Sequence, residues 1–223
     1  MKTPGRQFKN AIYEQFSRIG KAVSSPKRLE LLDLICQGAK NVETLARETG
    51  LTFANASQHL QTLKAARLIE AEKEGLHVTY RLSDQKVCAF FRSMRVLAEN
   101  QLAEIDMIKR RFLENQEGME PVDRTDLLNR VKEGAVTVLD VRPVDEYRAG
   151  HIPGAISVPL MQLEKLFSKL PLDQEIVAYC RGPYCVLAVQ AVEMLRKQGF
   201  KAIRLEEGVQ DWLAMGLTVD TGD

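Results

Sequence analysis

The sequence lacks any apolar run that approaches the ~20 residues needed to cross a lipid bilayer, so we predict no helical membrane span. Its first 17 residues contain no uninterrupted apolar stretch followed by a small-residue cleavage site, so we predict no secretory signal. These two absences predict a cytoplasmic protein that does not bind a membrane. Cysteine is also scarce: the 223 residues hold only four, at positions 36, 88, 180 and 185.

So few cysteines in a chain of this length are not the disulfide framework of a small secreted protein. In a reducing compartment, thiols are instead buried, catalytic, metal-binding or redox-sensing. The remaining composition is typical of a globular protein, with 45% hydrophobic and 27% charged residues. Bulk disorder is therefore not expected, and 223 residues are enough for two domains.

Charge is divided unevenly along the chain, although the net charge is only +1. Residues 1–110 hold 18 lysines and arginines against 12 aspartates and glutamates, a net charge of +6. Residues 111–223 hold 13 against 18, a net charge of −5. This asymmetry indicates that only the first half meets a polyanion such as DNA.

The first half is predicted to form helices followed by a hairpin. Apolar residues recur at helical spacing over four stretches, 8–23, 25–38, 42–49 and 52–66. Two strands follow over residues 68–73 and 76–82, and a long final helix runs from Asp84 to about Leu113. Helix, turn, helix and hairpin are the order of a winged helix-turn-helix, so we predict a mainly α domain of this type over residues 1–113.

The polar segment 114–121 contains both Gly and Pro and is the predicted linker. Beyond it, over residues 122–223, short apolar runs alternate with helical stretches. The predicted strands are 136–139, 176–179 and 202–205, and the predicted helices are 160–170, 186–198 and 208–215. Buried strands that alternate with helices indicate an α/β domain with a central parallel sheet.

The chemistry of the second domain centres on the segment CRGPYC at residues 180–185. An apolar strand is predicted to run directly into Cys180, and a helix begins near Val186 after a tight loop. Ligand sites of open α/β sheets lie at the carboxyl ends of strands. Backbone N–H groups of a loop above a helix N-terminus favour a thiolate and can hold an anion or a persulfide. We therefore predict a reactive thiolate at Cys180.

Three segments of this domain resemble the rhodanese family: LDVRPVDEYRAGHIPGA at residues 139–155, the Cys180 loop, and GVQDW at residues 208–212. The resemblance covers about residues 122–220 and implies a rhodanese-like fold that transfers sulfane sulfur through a persulfide on Cys180. It also implies residues that support the loop or line the site, namely Asp140, Arg142 and Glu146; we group Arg181, next to the nucleophile, with them. An ion pair that only holds the fold is an equally good interpretation of Asp140 and Arg142.

Cys185 departs from the family pattern, since many rhodaneses carry a basic or small residue at this position. Its thiol can attack a persulfide on Cys180, release the sulfur and leave a Cys180–Cys185 disulfide. A packing residue at a helix start is an equally good interpretation of Cys185. A rival function is that of phosphatases and arsenate reductases of related fold, which need Arg six positions after the cysteine. Val186 occupies that position, so sulfur chemistry is favoured.

Residues 42–69, VETLARETGLTFANASQHLQTLKAARLI, and the hairpin that ends in YRL at residues 80–82 resemble the ArsR/SmtB-type repressor family. The run SQHL and the Leu-Ile pair before the wing carry most of the match, which covers about residues 10–110. The resemblance implies homodimers that pair through their first and last helices. It also implies that each dimer binds two half-sites of a double-stranded DNA operator.

Polar residues of the fourth helix are DNA-binding candidates, because Asn and Gln read base edges whereas Ser and Lys hold phosphates. They are Asn55, Ser57, Gln58, Gln61 and Lys64. On the wing, the candidates for contact with the DNA backbone or the minor groove are Lys73, His77 and Arg81. The alternative for all of them is a solvated surface.

Metal-sensing members of that family use Cys pairs on the third helix or Asp/His sets on the last. Residues 42–49 contain no Cys and residues 84–113 contain no His, so we predict no metal site and no cofactor. Cys36 and Cys88 lie on the second and last predicted helices, where some redox-sensing members place two thiols. We interpret them as two buried core cysteines or, alternatively, as a dithiol switch.

The fusion of the two modules predicts a transcriptional regulator whose rhodanese-like domain senses or handles reactive sulfur. Its small-molecule partner would be a sulfane-sulfur donor or a small thiol. An alternative is a sulfurtransferase whose DNA-binding half only controls its own expression. A third interpretation is a redox-inert scaffold in which neither thiol titrates near neutrality.

Overall fold

A computed structural model describes residues 3–75, 77–113 and 123–222. The chain divides into two compact units, Met1–Arg95 and Val96–Asp223, so that the boundary falls inside one helix. The predicted linker, 114–121, lies outside the described residues. No helix in the described part of the chain has both the length and the apolar character needed to cross a membrane.

The first unit is a helical domain with a small antiparallel sheet, as expected. Its elements are α1 Pro4–Val23, α2 Pro26–Cys36, β1 Lys40–Asn41, α3 Val42–Thr49, α4 Phe53–Ala65, β2 Ile69–Glu74, β3 His77–Leu82 and the start of α5 Lys86–Gln101. The sheet has the order β1-β3-β2, with Glu70 opposite Arg81 and Lys40 opposite Tyr80. Its core is aliphatic and includes Leu31, Leu32, Leu45, Leu60 and Leu63.

Local sequence explains the helix-turn-helix formed by α3 and α4. The Asn41 side chain caps α3 by accepting a hydrogen bond from the Thr44 amide at 2.8 Å. Gly50 ends that helix with a φ of 64°, a left-handed conformation that glycine adopts without steric cost. Thr52 then caps α4 by accepting from the Asn55 amide at 3.3 Å. The predicted winged helix-turn-helix is therefore confirmed.

The second unit is an α/β domain whose sheet is entirely parallel, with the order β5-β4-β6-β7. In addition to the last residues of α5, its elements are α6 Ala103–Leu113, α7 Arg124–Lys132, β4 Val136–Asp140, α8 Val144–Ala149, β5 Ile156–Ser157, α9 Leu163–Leu166, β6 Glu175–Tyr179, α10 Val186–Lys197, β7 Ala202–Arg204 and α11 Val209–Ala214. Apolar clusters pack on this sheet, one around α10 and one around Trp212. The predicted α/β class with a parallel sheet is confirmed.

Two predicted helices are wrong in detail. The long final helix is interrupted at Leu102, which separates α5 from α6; no glycine or proline marks the break. The helix expected over residues 160–170 is instead the four-residue α9 between two 3-10 turns, Leu160–Gln162 and Phe167–Lys169. Short 3-10 turns preserve an apolar spacing close to that of a helix, so periodicity does not distinguish them.

Candidate functional site

Cys180 lies where the central strand β6 ends and the loop to α10 begins. β6 ends at Tyr179, α10 begins at Val186, and Cys180 is only 2% exposed. A disulfide joins Cys180 to Cys185, with their Cα atoms 6.2 Å apart. The bond closes a ring over residues 180–185, which we call the cysteine loop; a hydrogen bond from the Cys185 amide to the Gly182 carbonyl at 3.2 Å lies within it.

Arg181 fastens the cysteine loop to helix α8 through Glu146. Its Nε donates to both carboxylate oxygens of Glu146, at 2.9 and 3.1 Å, and its Nη2 donates to Oε1 at 2.5 Å. The Glu146 side chain is fully buried, and the guanidinium of Arg181 places a compensating charge beside it. A guanidinium held in this way positions the loop. The Glu146 carboxylate already neutralises much of the positive charge of Arg181.

Asp140 and Arg142 form a buried ion pair at the end of β4. Arg142 Nε donates to the Asp140 carboxylate at 2.9 and 3.1 Å, and Nη2 donates to Asp140 at 2.6 Å and to the Gly150 carbonyl at 2.7 Å. Burial lowers the pKa of Arg142, but the hydrogen bonds and charge of Asp140 outweigh it and raise the pKa overall. These contacts support the interpretation of Asp140 and Arg142 as an ion pair that holds the fold.

Tyr179, the residue before Cys180, extends this network. Its hydroxyl donates to Asp140 at 2.6 Å and accepts from the Ile152 amide at 3.0 Å. Burial, reinforced by the neighbouring Asp140 carboxylate, raises the pKa of Tyr179 far above its ordinary value. Tyr179 is therefore a neutral hydrogen-bond donor that ties the end of β6 to β4.

Two further residues shape the cysteine loop, and neither had a role predicted from the sequence. A Cβ added to Gly208 would lie 2.3 Å from the Arg181 carbonyl oxygen, so the loop requires glycine there. Arg204 Nη1 donates to the Pro183 carbonyl at 3.2 Å, and burial lowers the pKa of this arginine although Glu206 opposes the effect. The segment GVQDW pointed to Gly208, whereas no sequence signal pointed to Arg204.

The other two cysteines form a second disulfide, in the first unit. Cys36 is the last residue of α2 and Cys88 is the third residue of α5, with Cα atoms 5.7 Å apart. Both side chains are buried. The structure therefore brings together two residues that the sequence left open as separate core cysteines or a dithiol pair.

Helix α4 presents most of the predicted DNA-reading residues to solvent. Asn55, Gln58, Gln61 and Lys64 are exposed, and Ser57 is half-buried. The apolar residues of the same helix, Ala56, Leu60 and Leu63, lie in the core. The helix thus has a buried face and a polar face, as a recognition helix requires.

On the wing, the predicted residues differ in their surroundings. Lys73 is exposed on β2, and the side chain of His77 lies outside the described residues. Arg81 pairs with Glu70 across the hairpin at 2.7 Å and lies 3.7 Å from Glu72. Any contact between Arg81 and phosphate would therefore compete with these carboxylates. In the part of the chain that the structure describes, no group of three or more His, Cys, Asp or Glu residues is placed to hold a metal ion.

Comparison with known proteins matches each unit to a family. Residues 25–71 match the bacterial regulatory protein, arsR family, and residues 123–215 match the rhodanese-like domain. The HTH-type transcriptional regulator Rv0324 of Mycobacterium tuberculosis is 42% identical over 214 residues, which cover 96% of this chain and 94% of that protein.

Two solved structures illustrate the likeness of the separate halves. One is the homodimeric winged helix-turn-helix DNA-binding domain, fragment 1-100, of a Mycobacterium bovis protein; it is 39% identical, with 42% of this chain and 87% of that chain covered and a TM-score of 0.41. The other is a rhodanese-related protein from Thermoplasma volcanium; it is 30% identical, with 45% of this chain and 97% of that chain covered and a TM-score of 0.40.

Proposed function

The chain belongs to the arsR family of HTH-type transcriptional regulators and carries a rhodanese-like domain, and from this premise we propose that it is a sulfur-responsive regulator. Cys180 is proposed to receive sulfane sulfur, and the state of the cysteine loop is proposed to alter DNA affinity. The observation that carries the proposal is the placement of two cysteines within bonding distance at the carboxyl end of the central strand. The protein would act in the cytoplasm, where its DNA is.

We propose that a homodimer binds the operator through α4. Helix α1 supports this, because it presents an unusual number of large apolar side chains to solvent: Phe8, Ile12, Tyr13 and Phe16. A similar excess continues along α5 and α6, with Phe90, Leu97, Leu102, Met107, Ile108 and Phe112. Pairing of the first and last helices of two chains would remove these surfaces from water. Asn55, Gln58 and Gln61 would then read bases, and Ser57 and Lys64 would hold phosphates.

The proposed chemistry proceeds in two thiol-exchange steps. The Cys180 thiolate attacks the outer sulfur of a donor R–S–SH, forms a Cys180 persulfide and releases the thiolate RS⁻. The Cys185 thiolate then attacks Cys180 Sγ, forms the Cys180–Cys185 disulfide and expels hydrosulfide, HS⁻. Two equivalents of a small thiol restore both cysteines and become a disulfide themselves.

The experiment begins with selection of a duplex from a random-sequence DNA library by the reduced full-length chain. Its affinity is then measured by gel shift with and without inorganic polysulfide, for the wild type, Cys180→Ser and Cys185→Ser. We expect polysulfide to change the affinity of the wild type and Cys180→Ser to lose at least part of that change. Mass spectrometry should detect the persulfide on Cys180 in Cys185→Ser and the disulfide in the wild type.

The outcomes separate the alternatives. A response that is wholly retained in Cys180→Ser would assign sensing to Cys36 and Cys88, the second disulfide-bonded pair. A wild type whose DNA affinity does not change with polysulfide would contradict the proposal. If its thiols also stay unmodified, the rhodanese-like domain is an inert scaffold.

A sulfurtransferase is the second candidate, favoured by the match of residues 123–215 to the rhodanese-like domain and by the fastening of the loop through Arg181 and Glu146. In that case cyanide would remove the outer sulfur of the Cys180 persulfide as thiocyanate and regenerate the thiolate. Sustained thiocyanate production with unchanged DNA affinity would favour the enzyme over the regulator.

A further inference from the structure

Tyr184, inside the cysteine loop, bonds directly to helix α5. Its hydroxyl donates to Glu99 Oε1 at 2.6 Å, the distance of a short charge-assisted hydrogen bond. Glu99 is the third residue from the end of α5, and both residues belong to the unit that begins at Val96. Because Tyr184 precedes Cys185, this contact starts from a residue that the disulfide holds in place.

A second chain of contacts leaves the same loop from the adjacent residue. The Pro183 carbonyl accepts from Arg204 Nη1 at 3.2 Å, and Arg204 Nη2 lies 3.2 Å from Glu206 Oε1. Glu206 Oε1 also lies 2.9 Å from Lys109 Nζ on α6. The side chains of Glu206 and Lys109 are only 22% and 27% exposed, so solvent screens this ion pair less than a pair on the open surface.

We propose that Tyr184, through Glu99, is the residue that reports the chemical state of the cysteine loop to helix α5, with Pro183, Arg204, Glu206 and Lys109 as a parallel route to α6. The inference rests on the proposed function, since it supplies the route by which sulfur at Cys180 changes DNA binding. It assigns roles to residues outside the Cys180 nucleophile and outside the DNA-reading helix.

The geometry of the disulfide explains why the loop must respond. Cys185 Sγ is bonded to Cys180 Sγ and so occupies the position that the outer sulfur of a Cys180 persulfide would take. Cys180 can carry sulfane sulfur only when its bond to Cys185 is open, so Cys185 Sγ must lie elsewhere in the sulfur-loaded loop, and the neighbouring Tyr184 moves with it. A hydrogen bond of 2.6 Å is lost once its atoms separate beyond about 3.5 Å, so a shift of about 1 Å is sufficient.

Helix α5 is suited to receive this signal, because it is continuous from Lys86 to Gln101 and lies in both units. It is also one of the helices that we propose to pair in the dimer. A change at its C-terminal end would alter how two α5 helices pair, and with it the spacing of the two α4 helices on their half-sites. Coupling of this kind is reciprocal, so DNA must shift the loop equilibrium by the same factor.

The test compares full-length wild type with Tyr184→Phe, which removes only the hydroxyl, and with Glu99→Ala, the double variant and Lys109→Met. Affinity for the selected duplex is measured for the disulfide form and for the form reduced by dithiothreitol. For each disulfide that it reduces to two cysteine thiols, one dithiothreitol is oxidised to its cyclic disulfide. We define the loop share as the part of this affinity change that Cys180→Ser abolishes. Glu104→Ala on α6 is the matched control.

We expect the loop share to be at least about fivefold in the wild type, the lower end of typical allosteric coupling. Tyr184→Phe and Glu99→Ala should each remove most of it, the double variant should remove no more than either, and Lys109→Met should remove a smaller part. In thiol–disulfide buffers, the DNA should shift the Cys180–Cys185 equilibrium of the wild type by the same factor, and that of Tyr184→Phe much less. Glu104→Ala should behave as wild type.

A loop share that persists in Tyr184→Phe and Glu99→Ala would overturn the inference and leave the proposed function intact. A wild type without any loop share would overturn the route from Cys180 to DNA, and the inference with it. The redox equilibrium is read from alkylated peptides by mass spectrometry, so each variant is also checked for a cysteine loop that still closes.

Discussion

The arginine at position 142 shows what a single buried charge contributes. Its side chain is 1% exposed, and it is paired with the fully buried Asp140 while the Tyr179 hydroxyl donates to the same carboxylate. Removing one partner of such a pair leaves an uncompensated charge in a medium of low dielectric constant. These contacts favour a role for Arg142 in the stability of the second unit.

We expect Asp140→Asn to destabilise the second unit by about 3–5 kcal/mol, because Arg142 would keep its charge and lose its counter-ion. Urea unfolding followed by Trp212 fluorescence measures this directly, since Trp212 is the one tryptophan of the chain and lies in the core of that unit. The exposed Asp126→Asn is the control, with an expected change within about 0.5 kcal/mol. Equal losses in the two variants would contradict the role assigned to Asp140.

At the scale of elements, the cysteine loop is held from outside its own sequence. Glu146 on α8 fastens it through Arg181, and the start of α11 supports it at Gly208, where backbone approaches backbone. Such a close approach limits where the Arg181 end of the loop can lie, although only six residues separate β6 from α10. The position of the cysteine loop thus depends on elements that follow and precede it by tens of residues.

We predict that Gly208→Ala displaces the loop, because the new methyl group would meet the Arg181 carbonyl at a distance that real Cβ atoms do not adopt. Overpacking of this kind costs about 1–3 kcal/mol. Persulfide formation on Cys180, measured by mass spectrometry, should fall as well.

Gly150→Ala is the matched control for that substitution. Its Cβ would lie 3.6 Å from Val209 and 3.8 Å from Val219, which is ordinary van der Waals contact. If Gly150→Ala impairs persulfide formation as much as Gly208→Ala, the close approach at Gly208 is not the cause.

At the scale of the whole molecule, the exposed apolar side chains of α1 are the basis of the dimer proposed above. Phe16 is 64% exposed and packs edge-to-face with Tyr13, with ring centroids 5.8 Å apart. A large aromatic residue at the centre of a two-fold interface contributes twice to the free energy of dimerisation, once from each chain. Dimerisation would explain why a helix of a folded domain keeps such residues in contact with water.

We therefore expect Phe16→Ser to convert the dimer to a monomer at low micromolar concentration, since truncation of an aromatic anchor costs about 2 kcal/mol or more at each copy. Light scattering coupled to size-exclusion chromatography gives the mass, and gel shift should record weaker binding to the selected duplex. Leu172→Ser, at an apolar residue of similar exposure in the second unit, should remain a dimer. A dimeric Phe16→Ser chain would exclude α1 from the interface.

The sequence by itself determined both fold classes, most of the helices and strands, and the position of Cys180 between a strand and a helix. These features follow from local periodicity and from motifs whose residues lie near one another in the chain. It did not distinguish a continuous last helix from two helices, because the break at Leu102 carries no local signal.

Only the tertiary structure decided which distant residues meet. Cys36 and Cys88 are 52 residues apart, Arg181 and Glu146 are 35 apart, and Tyr184 and Glu99 are 85 apart. Periodicity constrains which face of an element is buried, but it carries no information about the partner that covers that face. Those partners are selected when the whole chain packs, because the free energy of a long-range contact depends on every element that brings its two ends together.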